Sequence, residues 1–314
     1  MKLDQLAARC GEWLRGEGPD SGIVISTRIR LARNLAGHRF VRKCSPAERE
    51  RIEAEVREVI QDSPRLKAMA YFDVSQLAPL DRQLLVERQL ISRELSEGEG
   101  ARAVAIDPEE RSTVMVNEED HLRIQGMHSG FDLESAWNHI NELDDTLEAH
   151  LPYAFHDRLG YLTACPTNVG TGMRVSVMLH LPALVMVGQL DRLFRSLQKL
   201  NLAVRGLYGE GSQAMGDFYQ ISNQVTLGKS ERELMEQIQR VVPAIIEYEE
   251  KAREAYLKER TSELKSRIEN AFETLQRATK ISSEETMHLL STLRMGITLG
   301  LVNNLPIPDV NTLF

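Results

Sequence analysis

Thr163-Ala164-Cys165-Pro166-Thr167-Asn168-Val169-Gly170-Thr171-Gly172-Met173-Arg174 is the stretch around which the rest of the chain is organised. It brings a thiol, two glycines and a fixed cation close together. Pro166 restrains the backbone after the thiol. Gly170 and Gly172 carry no Cβ, and so would let backbone N–H groups approach a ligand. Beyond them Arg174, Ser176, Met178 and His180 alternate with Met173, Val175, Val177, Leu179 and Leu181, the period of a half-buried strand. A turn holding a thiol and feeding a strand that holds an arginine reads as the edge of an active site. The plainer alternative is a Gly-rich hairpin around a buried structural cysteine.

A second alternating run lies upstream. Ile23, Ile25, Thr27, Ile29 and Leu31 alternate with Val24, Ser26, Arg28, Arg30 and Ala32. In a strand, Arg28 and Arg30 stand on one face about 7 Å apart. Like charges so placed repel unless an anion sits between them or water screens both. A third patterned stretch is Arg111–Asn117 followed by Glu118-Glu119-Asp120-His121-Leu122-Arg123-Ile124-Gln125. If that strand continues, Glu119, His121 and Arg123 share a face, and three consecutive acids are hard to explain as packing.

The chain has 314 residues, 42% of them hydrophobic, enough for one large domain or two ordinary ones. Its net charge of −8 argues against a globally basic surface for nucleic acid. Cys10, Cys44 and Cys165 are scattered, with neither a disulfide framework nor metal-ligand spacing, which points to a reducing cytoplasm and no protein-held metal. The N-terminus has no apolar signal core, and no apolar run is long enough to span a membrane.

Helices are expected near residues 1–15, 46–61, 81–96, 133–151 and 184–199, with strands at 202–205 and 218–226. Gly206-Leu207-Tyr208-Gly209-Glu210-Gly211-Ser212 reads as a loop able to close over a ligand. From Ser230 the chain becomes helical by period and rich in Glu, Arg and Lys, with a capping box at Ser282–Glu285 opening a last helix. This gives an α+β class: a catalytic part over residues 1–250 and a small all-helical part over residues 251–314. Residues 306–314 are expected to lack helix or strand. Tyr248, Tyr256, Leu264, Ile268, Leu289, Leu290, Leu293 and Leu301 suggest more apolar surface than one helix contact buries, hence a homodimer.

No Walker A motif and no dinucleotide Gly fingerprint is present. An arginine cluster still suits a polyphosphate, because guanidinium forks pair bidentately with phosphate oxygens. Cysteine hydrolase chemistry is the competitor, but no His/Asn pairing is evident near Cys165 in the motif.

Ser26-Thr27-Arg28-Ile29-Arg30, Asn117–Arg123 and Cys165–Arg174 together resemble the phosphagen (ATP:guanidino) kinases, over roughly residues 20–228, and most nearly their bacterial protein-arginine branch. The resemblance implies a mostly antiparallel sheet flanked by helices, and ATP with Mg2+ held by arginines. Arg28, Arg30, Arg123, Arg174 and Arg205 would cradle the phosphates. Glu119 would orient and deprotonate the acceptor guanidinium, Glu118 would support it, and Cys165 would lie against it. Ser26–Arg30, Val175, Ser176, Val177, Met178 and Arg205–Glu210 would line the nucleotide site. Gln89 stands where a nucleotide-contacting histidine is expected.

Twenty-five residues precede Ser26, without the helical lid domain of the small-guanidine kinases, so an open site accepting arginine side chains on proteins is expected. The alternatives are a kinase for free arginine or another small guanidine, and a non-catalytic regulator. The basic C-terminal segment of the family does not follow Phe314, so truncation is expected. The resemblance further implies transcription repressors as substrates, a zinc-binding activator, and delivery of marked proteins to Clp-type proteolysis.

Overall fold

A computed structural model describes residues 3, 6, 9–207 and 214–314. Ten strands are present among them: β1 (Val24–Arg33), β2 (Ala70–Asp73), β3 (Ala103–Ile106), β4 (Ser112–Val116), β5 (Leu122–Ser129), β6 (Phe155–His156), β7 (Gly160–Tyr161), β8 (Met173–His180), β9 (Leu202–Gly206) and β10 (Phe218–Asn223). Eight form one sheet in the order β2-β3-β4-β5-β1-β8-β10-β9, with every neighbouring pair antiparallel. The α+β class is as expected. Strands β2 and β3, short and away from any motif, are additions to the sequence reading.

The helices are α1 (Pro46–Asp62), α2 (Pro79–Glu87), α3 (Arg93–Glu97), α4 (Leu133–Glu148), α5 (Pro182–Met186), α6 (Leu190–Lys199), α7 (Glu231–Glu259), α8 (Thr261–Arg277), α9 (Ser283–Thr298) and α10 (Ile307–Asn311). Two expected helices are each broken in two. Gln89, at φ 60°, separates α2 from α3, and Gly188, at φ 67°, precedes α6. Helix α1 starts at a reciprocal Ser45/Glu48 capping box. The expected tail without structure is corrected: α10 forms because Val310 and Asn311 are buried, and Asn311 both accepts from Arg294 and donates to the Leu14 carbonyl. The expected helix over 1–15 falls partly outside the described residues; within them Glu12–Leu14 is a 3-10 turn.

Directly opposed residues in an antiparallel sheet point to the same side, so the register defines two faces. One carries Ile29, Leu31, Val114, Ile124, Val175, Val177 and Ile221 into the main core, covered by Ile52 and Val56 of α1, Ile140 and Leu143 of α4, and Ile238 and Val242 of α7. Each such fully buried side chain contributes about 1.5–3 kcal/mol relative to exposure. The other face is covered only in part. At one end α2, α3 and the segment between them set Leu85, Leu95 and Ile91 on Val104 and Met115. At the other, Trp13 and Met287 of α9 pack with Ile25, Met127, Met178 and Phe218. Between these two clusters the sheet is open.

Ile25 departs from the expected alternation. A bulge between Val24 and Ser26 in the β1–β8 pairing turns Ile25 to the open side, while Val24 enters the main core. In the helical part, Tyr256, Leu264, Ile268, Leu290 and Leu293 form a cluster of their own and are covered within the chain. They are therefore not the free patch expected from the sequence, and Tyr248 is 56% exposed on its own. Helix α7 runs unbroken across residue 250: its first turns serve the sheet core, and Tyr256 serves the helical cluster.

Candidate active site

The open face collects the arginines. Arg30 is paired in register with Arg174 across β1–β8 and with Gln125 across β1–β5. Arg28 opposes Ser176 and Met127, Arg123 opposes Met115, and Arg205 opposes Gln220. All five arginines therefore project from one side of the sheet. Arg28, Arg30, Arg123 and Arg205 line a cleft of about 500 Å3, together with Gln89, Ser92, Gln125, Met178, Gly206, Leu207 and Gln220. Val86, Ile91 and Met115 give one flank of it an apolar wall. Arg93 and Glu94, which the sequence did not mark, stand on the same wall.

The cleft is short of negative charge. Arg28 donates to two neutral oxygens, Gln89 Oε1 at 3.1 Å and Gln220 Oε1 at 2.8 Å. Among the described residues, the guanidinium groups of Arg30, Arg174 and Arg205 make no hydrogen bond or ion pair. Burial first, then Arg123 and Arg174, lowers the Arg28 pKa to about 10. Burial and the same neighbours, with Arg28 added, lower that of Arg30 well below its ordinary value. Arg174 is lowered by burial, then by Arg205 and Arg123. Cations that destabilise one another in a half-closed cleft form a site for a polyanion, whose binding relieves the repulsion.

Carboxylates meet this cleft at one edge. The expected run of strand through Glu118–His121 does not occur. Asn117 takes φ 58°, its N–H donates to the His121 carbonyl, and residues 117–121 form the turn between β4 and β5. Glu119 and His121 therefore do not share a face. His121 is buried, accepting the Leu35 N–H on Nδ1 and donating from Nε2 to the Arg39 carbonyl. Glu118, with its side chain 1% exposed, is ion-paired to Arg123 at 2.5 Å, accepts from Ser92 Oγ at 2.6 Å and receives the Glu119 N–H. Glu119 is 32% exposed and lies 3.5 Å from Arg123. Its pKa is raised, by burial first and then by Asp120, with Arg123 opposing.

Cys165 reaches the same edge: it and Glu119 both act electrostatically on Arg174. Its thiol lies 3.0 Å from Thr167 Oγ1. Asp120, one of the three consecutive acids but given no role of its own in the sequence, fixes this geometry by accepting from Asn34 Nδ2 and from the Ala164 N–H, each at 2.6 Å.

Other candidates sit elsewhere. Ile29, Val175 and Val177 point into the main core, because they alternate with the arginine-bearing positions. Thr27 is also buried, donating to the Gly130 carbonyl. Ser26 and Ser176 are buried on the cleft side, Ser176 against the Arg28 carbonyl. Tyr208, Gly209 and Glu210 lie outside the described residues. The motif glycines have a packing reason: a Cβ on Gly172 (φ 63°) would stand 2.5 Å from the Ala32 carbonyl, and one on Gly170 (φ 113°) 2.6 Å from that of Thr226. Gln220 was legible in principle, sharing a strand face with Phe218 and Ser222 and alternating with the core residues Tyr219 and Ile221.

A phosphate-ready arginine cleft, joined at its rim to a shielded carboxylate and a thiol, is the arrangement of an enzyme that hands a phosphoryl group to a cationic acceptor. Residues 51–252 match the model of the ATP:guanido phosphotransferase C-terminal catalytic domain, and residues 261–314 that of the protein-arginine kinase McsB C-terminal domain. The chain belongs to the ATP:guanido phosphotransferase family. It is 46% identical to the protein-arginine kinase of Symbiobacterium thermophilum over 319 aligned residues, covering 100% of this chain and 90% of the relative. It is 45% identical to that of Brevibacillus brevis, covering 93% and 82%. Among solved structures it resembles lombricine kinase, with a TM-score of 0.66, 27% identity and coverage of 79% of this chain and 70% of that one. It also resembles the duplicated taurocyamine kinase of Schistosoma mansoni with bound transition state analog components, with a TM-score of 0.68, 25% identity and coverage of 86% and 39%. No helix among the described residues is long and apolar enough to cross a membrane.

Proposed function

We propose that this chain transfers the γ-phosphoryl of ATP to the guanidinium of arginine side chains in proteins. The observation that carries the reading is the meeting of Glu119, shielded and next to Arg123, with three guanidinium groups, those of Arg30, Arg174 and Arg205, that make no hydrogen bond or ion pair among the described residues. Relatives named protein-arginine kinase, similar over nearly the whole chain, support the choice of acceptor.

Arg28, Arg30, Arg123, Arg174 and Arg205 would hold the polyphosphate and draw charge from the leaving group. Glu119 would pair with the acceptor guanidinium and take the proton released as the new N–P bond forms and the bond to the β-phosphate oxygen breaks. Its raised pKa makes it a better proton acceptor than an ordinary glutamate. Glu118, already committed to Arg123 and Ser92, would set the angle of the turn. Cys165 would lie against the acceptor.

Among the described residues no three His, Cys, Asp or Glu cluster as a metal cage. The guanidinium cleft would hold the phosphates, and a Mg2+ carried on them would neutralise developing charge. We place the division between catalytic and helical parts near the end of α7 rather than at residue 250, and the protein in the cytoplasm, in keeping with its free cysteines. Transcription repressors as substrates, a zinc-binding activator, Clp-type proteolysis and a homodimer complete the reading. Light scattering on the unaltered chain tests the dimer, because charges at Leu264 or Ile268 would disrupt the helical core itself.

The decisive experiment incubates the chain with ATP–Mg2+ and an unfolded protein, or with free arginine, and looks for phosphoarginine by mass spectrometry. Phosphoarginine in the protein is expected. Acid-labile phosphate on free arginine alone overturns the reading.

A further inference from the structure

The segment between α2 and α3 touches both halves of the cleft. Gln89 Oε1 receives Arg28 Nη1, and three residues later Ser92 Oγ donates to Glu118 Oε1. Gln89 reaches its place only because its backbone turns left-handed, at φ 60°, a conformation that side chains other than glycine rarely adopt. Such a turn persists when its surroundings hold it. Three hydrogen bonds from the segment itself, Gln89 N–H to the Val86 carbonyl and Leu90 N–H and Ile91 N–H to the Leu85 carbonyl, close the end of α2. A further tie comes from the sheet. Gln125, 3% exposed on β5 and opposite Arg30, donates from Nε2 to the Gln89 carbonyl at 2.7 Å.

We propose that Gln125 is a positioning residue for phosphate binding: it pins the left-handed Gln89 turn, so that the Gln89 amide oxygen aims the Arg28 guanidinium into the cleft. The inference rests on the donor-site reading above but not on the identity of the acceptor. A neutral amide suits the task on both counts. It can donate to a carbonyl, which a carboxylate cannot, and it adds no charge that would compete with phosphate for Arg28 and Arg30.

The test is a double-mutant cycle on the full chain, reading ATP affinity by calorimetry, KM for ATP, kcat and the thermal midpoint. Gln125→Met keeps the volume and removes the donor. It is expected to raise the ATP dissociation constant and KM roughly three- to tenfold, the scale of one lost hydrogen bond, with kcat at saturating ATP nearly unchanged. Gln89→Ala removes the side chain being aimed and should raise KM similarly. If Gln125 acts through Gln89, adding Gln125→Met to Gln89→Ala costs little more. Additive losses, or a fall in thermal midpoint with no change in ATP affinity, overturn the proposal. Should Gln125→Met fold poorly, Gln125→Glu serves instead: it must weaken ATP binding at least as much as Gln125→Met is expected to, and unchanged affinity overturns the proposal equally. If the unaltered chain binds no ATP, the reading and the inference fall together. If it binds ATP and the cycle is additive, only the inference falls.

Discussion

Asp120 Oδ1 receives the Ala164 N–H at 2.6 Å, so the turn carrying Glu119 is fastened directly to the turn carrying Cys165. These two turns are 44 residues apart in sequence, and the same oxygen also accepts from Asn34 at the end of β1. Asp120→Ala would leave the Ala164 N–H without its acceptor, at about 1–3 kcal/mol if buried, and would leave the Asn34 amide with only its bond to the Leu162 carbonyl. Turnover is expected to fall at least tenfold while KM for ATP stays within about twofold, because the phosphate cradle does not involve Asp120. Steady-state kinetics separate the two numbers, and an equal rise in KM would assign Asp120 to the donor side.

Glu119→Gln should reduce turnover by at least about a hundredfold, the scale of a lost general base. The wild-type rate should also have an acidic limb displaced above the ordinary glutamate range, since burial and Asp120 raise the Glu119 pKa. The group works only when ionised, so activity appears as pH rises through that value. Near-normal phosphorylation by the amide variant removes Glu119 from the mechanism.

Arg174→Ala and Arg123→Ala differ in what they disturb. Arg174 makes no hydrogen bond or ion pair among the described residues, so its loss should weaken ATP binding roughly ten- to hundredfold, the worth of charge-assisted hydrogen bonds, without destabilising the fold. Arg123 also neutralises buried Glu118. Its removal should therefore lower thermal stability as well as ATP affinity. Equal thermal midpoints for the two variants would contradict this division of labour.

The stability of the fold should fall on acidification through its histidines. Burial lowers the His121 pKa from 6.5 to about 4, and that of His180 is held well below its ordinary value by burial and then by Arg294 and Arg253. The unfolded chain takes up these protons near pH 6.5, and the folded chain only at lower pH. The contribution is complete above 6.5 and is lost progressively as pH falls toward 4. Denaturant midpoints between pH 7 and pH 4.5 should show it. A His121→Leu variant should show a shallower decline, even if it is less stable at pH 7.

Cys165→Ser tests the thiol. Its neighbour Thr167 can hydrogen-bond a hydroxyl as well as a thiol, so the fold should be unaffected. A role against the acceptor predicts a rise in KM for the protein substrate with KM for ATP unchanged. Full activity would reduce Cys165 to packing.

Several features were determined by local sequence alone. The alternation through Arg28 and Arg30, and again from Arg174 to His180, specifies strands whose polar face carries the cations, because a pleated strand sends successive side chains to opposite sides. The capping residues Ser45, Ser230 and Ser282 mark helix starts for an equally local reason: their oxygens satisfy N–H groups that a helix leaves free. Other features required the tertiary structure. That Glu119 and His121 part company, that Gly170 and Gly172 lie against distant backbone, and that Leu264 and Ile268 lie inside the chain all depend on neighbours distant in sequence. The same holds for Asp120, Gln125 and Gln220, whose partners lie 36 or more residues away. Periodicity reports which face a residue occupies, and only packing decides what that face meets.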